Sequence, residues 1–134
     1  MTTTYSIAFG QTNAVRVEVA VVDRVGHVDG LGSYLPRRWA TRHYDTLFAA
    51  GRCDLLVIGG ATPDLVAAAR LMHPEAAVIA VIDAQAPVEP LIAILAAGAD
   101  ACVRAGATAV LAGHLIASNR RRMGTRHSQR QAAA

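Results

Sequence analysis

Short runs of aliphatic residues, each broken by turn residues, alternate along the chain with segments of helical spacing. The run Leu55–Ile58 is too short for a helix and carries aliphatic side chains on consecutive positions. Such a strand needs cover on both faces, as in a parallel sheet flanked by helices. The run breaks at Gly59 and Gly60, and a helix is predicted to begin at Pro63 with Thr62 as its N-cap. We therefore place this strand at the centre of the sheet.

The other runs predict four more strands and four more helices around this central unit. The strands are Val17–Val22, Trp39–Tyr44, Ala77–Ile82 and Ala101–Val103. The helices, besides the one from Pro63 to Met72, are a glycine-weakened helix after Arg24, a short helix from Thr46 capped by Gly51, Pro87–Ala97 and Thr108 to about Asn119. Five strands alternating with five helices indicate an α/β fold, a doubly wound parallel sheet with helices on both faces. The flavodoxin-like strand order 2-1-3-4-5 is its compact form.

A chain of 134 residues is expected to hold one such domain. We assign it to residues 16–119, and treat the Thr-rich residues 1–15 as an extension with Tyr5–Phe9 as an extra strand. No apolar run reaches the length of a membrane span, and the start of the chain lacks the pattern of a secretory signal. Two cysteines far apart in sequence, Cys53 and Cys102, are typical of reduced thiols. We therefore expect a cytoplasmic protein that makes no membrane contact.

Charge is distributed unevenly along the chain. All 13 basic residues are arginines, which excludes chemistry that needs a lysine, such as a Schiff base or a P-loop. Residues 1–119 carry a net charge of −2, whereas residues 120–134 hold five arginines and no acid. The basic segment has no apolar period, so it is predicted to be a disordered tail or a linker. Arginines from Arg120 to Arg130 also allow non-specific contacts with nucleic acid phosphates.

The carboxyl ends of the strands are where ligands gather in open α/β sheets, and Asp23, Gly59 and Asp83 are predicted to meet there. The turn of Gly59, Gly60, Ala61 and Thr62 precedes a helix, so it is either an anion-binding turn or a plain tight turn. The five histidines have no spacing typical of a metal site, and no serine lies in a nucleophile elbow. We expect no catalytic activity, no metal and no cofactor.

Four fragments resemble the receiver domain of bacterial response regulators, the CheY-like family, over about residues 16–119. Val21-Val22-Asp23 is similar to the end of that family's first strand, and Asp54–Ile58 to its third. Pro63 follows Gly59 by four residues, as a proline follows the phosphorylated aspartate in the family. Gly98–Val103 resembles the signature that enters the last strand. The order and spacing of the four fragments make the resemblance specific.

The positions that carry phosphorylation in the family differ in this chain. Gly59 stands where the resemblance implies the phosphorylated aspartate, Asp23 and Arg24 where it implies two Mg²⁺-binding acids, Ile82 and Asp83 near its Ser or Thr, Ala105 at its lysine, and Cys102 at its aromatic residue. The resemblance thus implies an atypical receiver without its aspartate, acting independently of phosphorylation. In place of Mg²⁺ the Arg24 guanidinium is hypothesised to pair with Asp23 or Asp83. The alternative is that Arg24 points into water.

The last two helices carry more apolar residues than one sheet-facing stripe needs. The surplus predicts a homodimer through helix 4, strand 5 and helix 5, or another protein partner, at Leu91, Ile94, Leu95, Cys102, Leu111, His114 and Leu115. The alternative is a small exposed patch of good helix formers. We expect a regulatory interaction module of signal transduction or transcription control, with an attached output domain in a longer regulator. The second hypothesis is a sensor that binds a small anionic metabolite in the crevice at the strand carboxyl ends.

Overall fold

Five parallel strands form a single sheet in the computed structural model, which describes residues 16–133 and, for side chains, residues 16–125. The strands are β1 (Glu18–Asp23), β2 (Ala40–Tyr44), β3 (Leu55–Gly59), β4 (Ala77–Ile82) and β5 (Ala101–Arg104). Their order across the sheet is β2-β1-β3-β4-β5, with all pairs parallel. The predicted order 2-1-3-4-5 is confirmed, and β3 is the central strand.

Helices cover both faces of this sheet. Among residues 16–133, three are α-helices, α1 (Pro63–Met72), α2 (Val88–Ala96) and α3 (Thr108–Ala133), and two are short 3-10 helices, Leu31–Tyr34 and Leu47–Ala49. One face packs against α3 and the first 3-10 helix, and the other packs against α1, α2 and the second 3-10 helix. All four residues from Leu55 to Ile58 are at most 1% exposed, because consecutive side chains enter opposite cores. The two-sided burial predicted from the apolar run is confirmed.

The predicted first helix is wrong, because only the 3-10 helix Leu31–Tyr34 forms after β1. Gly26 and Gly30 adopt φ values of 75° and 76°, the left-handed region that an α-helix does not use. Val28, 1% exposed, and Leu31, 0% exposed, still fill the core beneath this segment. The loop therefore supplies the burial of a helix without its backbone.

The predicted second helix is also shorter than expected. Thr46 is its N-cap, because the Thr46 hydroxyl accepts a hydrogen bond from the backbone N–H of Ala49 at 3.2 Å. The helix that follows is only the 3-10 segment Leu47–Ala49, and it ends at Ala50 instead of Gly51. Only Leu47 of its three residues is buried, so little apolar contact exists to extend it.

The last helix is longer than predicted, because α3 continues from Thr108 to Ala133 without a break near Asn119. The prediction of a disordered tail from Arg120 onward is therefore wrong, and no break in structure marks a domain boundary at that point. Arginine, glutamine and alanine dominate this segment and are good helix formers, and a solvated helix needs no apolar period. The suggested strand Tyr5–Phe9 lies outside the described residues. Within residues 16–133, none of the helices combines the length and the apolar character required to cross a membrane.

Candidate functional site

The carboxyl edge of the sheet brings the predicted site residues together. Asp23 is the register partner of Gly59, which in turn is paired with Val81 of β4. Asp83 follows Ile82, whose register partner is Arg104 at the end of β5. The ends of four parallel strands therefore meet at one edge, as the strand order predicts.

Asp23 organises the loop that follows β1. Its carboxylate accepts hydrogen bonds from the backbone N–H groups of Val25, His27 and Val28 at 3.3, 3.2 and 2.8 Å. One oxygen takes two of these bonds and the other takes the third. A carboxylate held in this way fixes the turn that replaces the first helix. Its function in this structure is to hold the loop.

The same carboxylate occupies the space beside Gly59 that a side chain would need. A Cβ atom built on Gly59 would lie 2.3 Å from Asp23 Oδ1 and 2.6 Å from Asp23 Cγ. Contacts this short are not found for real Cβ atoms, so any residue larger than glycine at this position must displace Asp23. Gly59 therefore lacks a side chain and has no room for one.

Arg24 does not enter this edge, so the hypothesis that it replaces Mg²⁺ is wrong. Its side chain is exposed, and it forms no ion pair with Asp23 or Asp83. Asp83 instead accepts a hydrogen bond from the backbone N–H of Gln85 at 2.8 Å, which shapes its own turn. Both acids are thus engaged by nearby backbone groups, and the arginine points into water.

The anion-binding reading of the turn after β3 is not supported by its hydrogen bonds. The backbone N–H groups of Gly60 and Ala61 both donate to the Val81 carbonyl, at 2.9 and 3.2 Å. The Thr62 hydroxyl accepts from the backbone N–H of Leu65 at 3.2 Å and caps α1. Because these groups are already used, the turn is the tight turn of the alternative reading.

Comparisons with known proteins bear on the fold. No family model matches the chain, and no curated protein matches it. Solved structures do match, at probability 1.00. A signal receiver domain of a putative Luxo repressor protein from Vibrio parahaemolyticus superimposes with a TM-score of 0.70 at 12% identity, over 85% of this chain and 98% of that one. A CheY-like receiver domain protein from Methanospirillum hungatei JF-1 gives 0.68 at 16% identity, over 83% and 99%.

The chain has the receiver-domain fold. A third match, the response regulator DrrB of Thermotoga maritima, has a TM-score of 0.62 at 19% identity and is covered over 51% of its length by 75% of this chain. The receiver fold thus spans whole isolated receiver domains and about half of this longer regulator. At these identities the likeness establishes the fold.

Two more residues at which the sequence differs from the receiver pattern, Cys102 and Ala105, lie in β5 and directly after it. Ala105 follows β5, and its backbone N–H donates to the Ile82 carbonyl at 2.8 Å. Cys102 is half-buried, and burial raises the pKa of its thiol, an effect that Arg104 partly opposes. The Arg104 side chain donates to the Ala86 carbonyl at 3.0 and 3.3 Å. In the part of the chain with described side chains, no three His, Cys, Asp or Glu residues cluster as metal ligands.

The predicted partner surface is wrong at three of its seven residues. Ile94, Leu111 and Leu115 are 1%, 3% and 0% exposed, because they point into the two cores beneath α2 and α3. The remaining four residues are at least partly accessible: Leu91, Leu95, Cys102 and His114. The sequence showed an apolar surplus on these helices but not which stripe the sheet would cover.

Sequence reasoning missed the residues at the opposite, amino edge of the sheet. Asp54 precedes β3, and one of its oxygens accepts from the backbone N–H of Glu18 at 2.8 Å. Its other oxygen lies 3.4 Å from the guanidinium of Arg122 in α3, which also donates to the Glu75 carbonyl. A side chain on α3 thus reaches the start of the central strand. The only indication of this contact in the sequence is the position of Arg122, shortly after the last apolar residues of the predicted fifth helix.

Proposed function

We propose that this chain is a phosphorylation-independent receiver, a regulatory module that acts through protein contacts in signal transduction or transcription control. The receiver fold supports a regulatory role in signal transduction, and the arrangement at its carboxyl edge supports independence from phosphorylation. Phosphoryl transfer needs a nucleophilic carboxylate at the crevice and a cation that neutralises the developing charge.

The decisive observation is the Asp23 carboxylate lying over Gly59. It satisfies three backbone N–H groups and fills the volume that a side chain at position 59 would enter. A receiver with this arrangement has one fixed loop in place of a responsive site. We therefore propose that signalling depends on binding and concentration, that the chain has no catalytic activity, and that it works in the cytoplasm.

Incubation with acetyl phosphate and Mg²⁺, followed by intact mass measurement, tests this proposal. A typical receiver treated in parallel is the positive control. We expect no phosphorylated species of this chain and no Mg²⁺-dependent change in its melting temperature. A Mg²⁺-dependent phosphorylated aspartate in the unaltered chain would overturn the proposal.

The protein contact is proposed to use the outer stripe of α2. Val88, Ile92 and Leu95 recur at helical spacing and are 55%, 58% and 41% exposed. Together with Leu91, Cys102 and His114, the other accessible residues of the predicted surface, they form the surface that we propose for a homodimer or another protein partner. Isolated apolar side chains are ordinary on a surface, but three on one stripe favour association.

A sedimentation series over concentration tests the homodimer. We expect association that Ile92→Arg abolishes and that Leu71→Arg leaves unchanged, because Leu71 is 84% exposed on α1 and outside this stripe. A strictly monomeric protein at high concentration would rule out the homodimer and leave the surface to a different partner.

A second proposal is that the arginine segment contacts nucleic acid. The helix carries Arg120 to Arg130 along about three turns, and no acid follows Asp100 in the sequence. Binding of duplex DNA that falls steeply with salt and is lost on deleting residues 120–134 would support it. An attached output domain in a longer regulator would instead place this helix between two domains.

A further inference from the structure

A cavity of about 360 Å³ lies at the amino edge of the sheet, on the side opposite the carboxyl-edge crevice. It opens between the last turns of α1, the segment leading into β4, and α3 from Ser118 to Thr125. Neither Asp23 nor Gly59 lines it. We refer to this space as the amino-edge cavity. Its volume lies within the range of small-molecule sites, roughly 300–1,000 Å³.

Three arginines line the amino-edge cavity, Arg70, Arg121 and Arg122. Arg70 donates to the Ala76 carbonyl at 2.8 Å and lies 3.3 Å from an Asp100 oxygen. These contacts hold its side chain in place, and it remains 34% exposed. Arg70 is therefore positioned at the wall with part of its guanidinium still accessible.

Arg122 forms the second fixed cation of this wall. Its side chain is only 12% exposed, and it contacts Asp54, Asn119 and the Glu75 carbonyl. The same arginine lines a second cavity of about 450 Å³ that shares residues 74–76 with the first. It thus contributes to the walls of both spaces, with its guanidinium held in place by Asp54.

Arg121 differs from the other two arginines in having few partners. Among residues 16–125, the only hydrogen-bond acceptor for its guanidinium is the Ser118 hydroxyl, at 3.0 Å. Ser118, which accepts this hydrogen bond, is only 2% exposed. A guanidinium carries five N–H donors, so most of those on Arg121 are available to a ligand.

The unengaged donors of Arg121 favour an anion. The other two arginines are already ion-paired, Arg70 with Asp100, which also accepts from the Val78 backbone N–H at 2.7 Å, and Arg122 with Asp54, and the remaining acid, Glu75, is exposed. The planar donor fork of a guanidinium matches the oxygens of a phosphate or carboxylate. A phosphate offers three acceptor oxygens and up to two negative charges, which suits several arginines around one space better than a single carboxylate does.

We propose that the amino-edge cavity binds the phosphate group of a small molecule, with Arg121 as the principal ligand-binding side chain and Arg70 and Arg122 as fixed flanking charges. The site is separate from the carboxyl-edge crevice, and it is independent of whether the receiver is phosphorylated. It would make the junction between the sheet and α3 the ligand-responsive part of the molecule. Ligand binding there would add a contact between α3 and the segment leading into β4.

Amide chemical-shift titration of the full chain tests this proposal, with sodium phosphate as the first probe and glycerol 3-phosphate as the second. Sodium chloride keeps the ionic strength constant. We expect saturable shifts at Ala76, Ala77 and Ser118, with no saturable shifts at Gly59–Thr62. Binding of inorganic phosphate alone would identify a free-phosphate site, and binding of both probes would identify a site for phosphate esters.

Two neighbouring arginines give a matched pair of variants. Arg121→Gln is expected to weaken phosphate binding roughly 10-fold to 100-fold, the loss typical for a hydrogen bond to a charged group. Arg120→Gln removes the same charge from an exposed position that lines neither cavity, so we expect less than about a twofold change. Because both positions are exposed, both variants should fold, and a thermal melt checks this.

Three results would overturn the proposal. The first is the absence of saturable shifts up to about 20 mM phosphate. The second is an equal loss of affinity in Arg121→Gln and Arg120→Gln, which would indicate diffuse charge attraction. The third is saturation at Gly59–Thr62 alone, which would return anion binding to the carboxyl-edge crevice. None of these results bears on the acetyl phosphate test, so failure of this site and failure of the phosphorylation-independent function are distinguishable.

Discussion

Replacing Gly59 by alanine isolates the contact on which the proposed function depends. The added Cβ would lie 2.3 Å from Asp23 Oδ1, 2.6 Å from its Cγ and 3.0 Å from its Cβ. The Asp23 side chain must therefore rotate away from β3. When it does, the backbone N–H groups of Val25, His27 and Val28 lose their acceptor.

The cost follows from those three hydrogen bonds. The bonds from His27 and Val28 are partly buried, and the longer bond from Val25 is exposed and contributes little. Two hydrogen bonds to a carboxylate that are only partly buried are worth about 3 kcal/mol together, the low end of the usual range. Alanine at position 59 regains up to about 1 kcal/mol because it restricts the unfolded chain. We expect a net loss of roughly 2 kcal/mol, which lowers the melting temperature by roughly 5–10 °C in a domain of this size.

Urea denaturation of four proteins measures this contact: the unaltered chain, Gly59→Ala, Asp23→Ala and the double variant. Asp23→Ala removes the two shortest contacts, so Gly59→Ala should cost clearly less on that background. A coupling free energy of about 1 kcal/mol or more is expected for residues in direct contact. If Gly59→Ala costs the same with and without the Asp23 carboxylate, the steric explanation fails.

Other predictions concern α3, Cys53 and the cap of α1. Arg122→Gln should lower the free energy of unfolding by about 1–2 kcal/mol, because it leaves Asp54 without its cationic partner, whereas Arg120→Gln should change it by less than about 0.5 kcal/mol in the same urea series. Burial, and secondarily Asp54, raises the pKa of Cys53 from 9.0 to about 11, against the effect of Arg122. Its alkylation by iodoacetamide at pH 8 should thus be roughly tenfold slower than that of an unfolded thiol, and equal rates would contradict the burial. Because the folded pKa is the higher one, the stability contributed by the protonated thiol is intact below about pH 9 and is lost as pH rises toward 11, which a Cys53→Ala control should not show. Thr62→Ala should cost about 1 kcal/mol in a thermal melt, and no loss would mean that the cap bond to Leu65 contributes nothing.

The fold was predictable because two-sided burial leaves a strong pattern. Consecutive aliphatic residues in β3 and β4 can only be covered in a parallel sheet with helices on both faces, and the turn residues between them locate the connections. The first helix failed because glycines at positive φ and an aspartate-bound loop replaced it. The prediction that the last helix ends near Asn119 was wrong for a different reason. A helix surrounded by water has no apolar stripe to detect, and its propensity is visible only in its composition.

The site was predictable in position but not in its contacts. Strand order alone places Asp23 beside Gly59, yet nothing in the sequence shows that the carboxylate turns toward its own loop. The hypothesis that Arg24 pairs with Asp23 or Asp83 was wrong because residues adjacent in sequence need not lie on the same surface once a strand has ended. Arg122 was missed because its partner Asp54 is 68 residues away, and a pairing at that separation is set by tertiary packing.

The continuous α3 gives the molecule a direction as well as a surface. Arg122 fastens the helix to the start of the central strand, and residues 123–133 extend it by about 16 Å, at 1.5 Å per residue. The end of the helix therefore has a fixed rotational orientation about the helix axis relative to the sheet. One residue inserted after Arg122 would turn that part by about 100°, whereas seven would nearly restore the original angle. A partner that contacts the end of α3 would read the orientation of the whole domain.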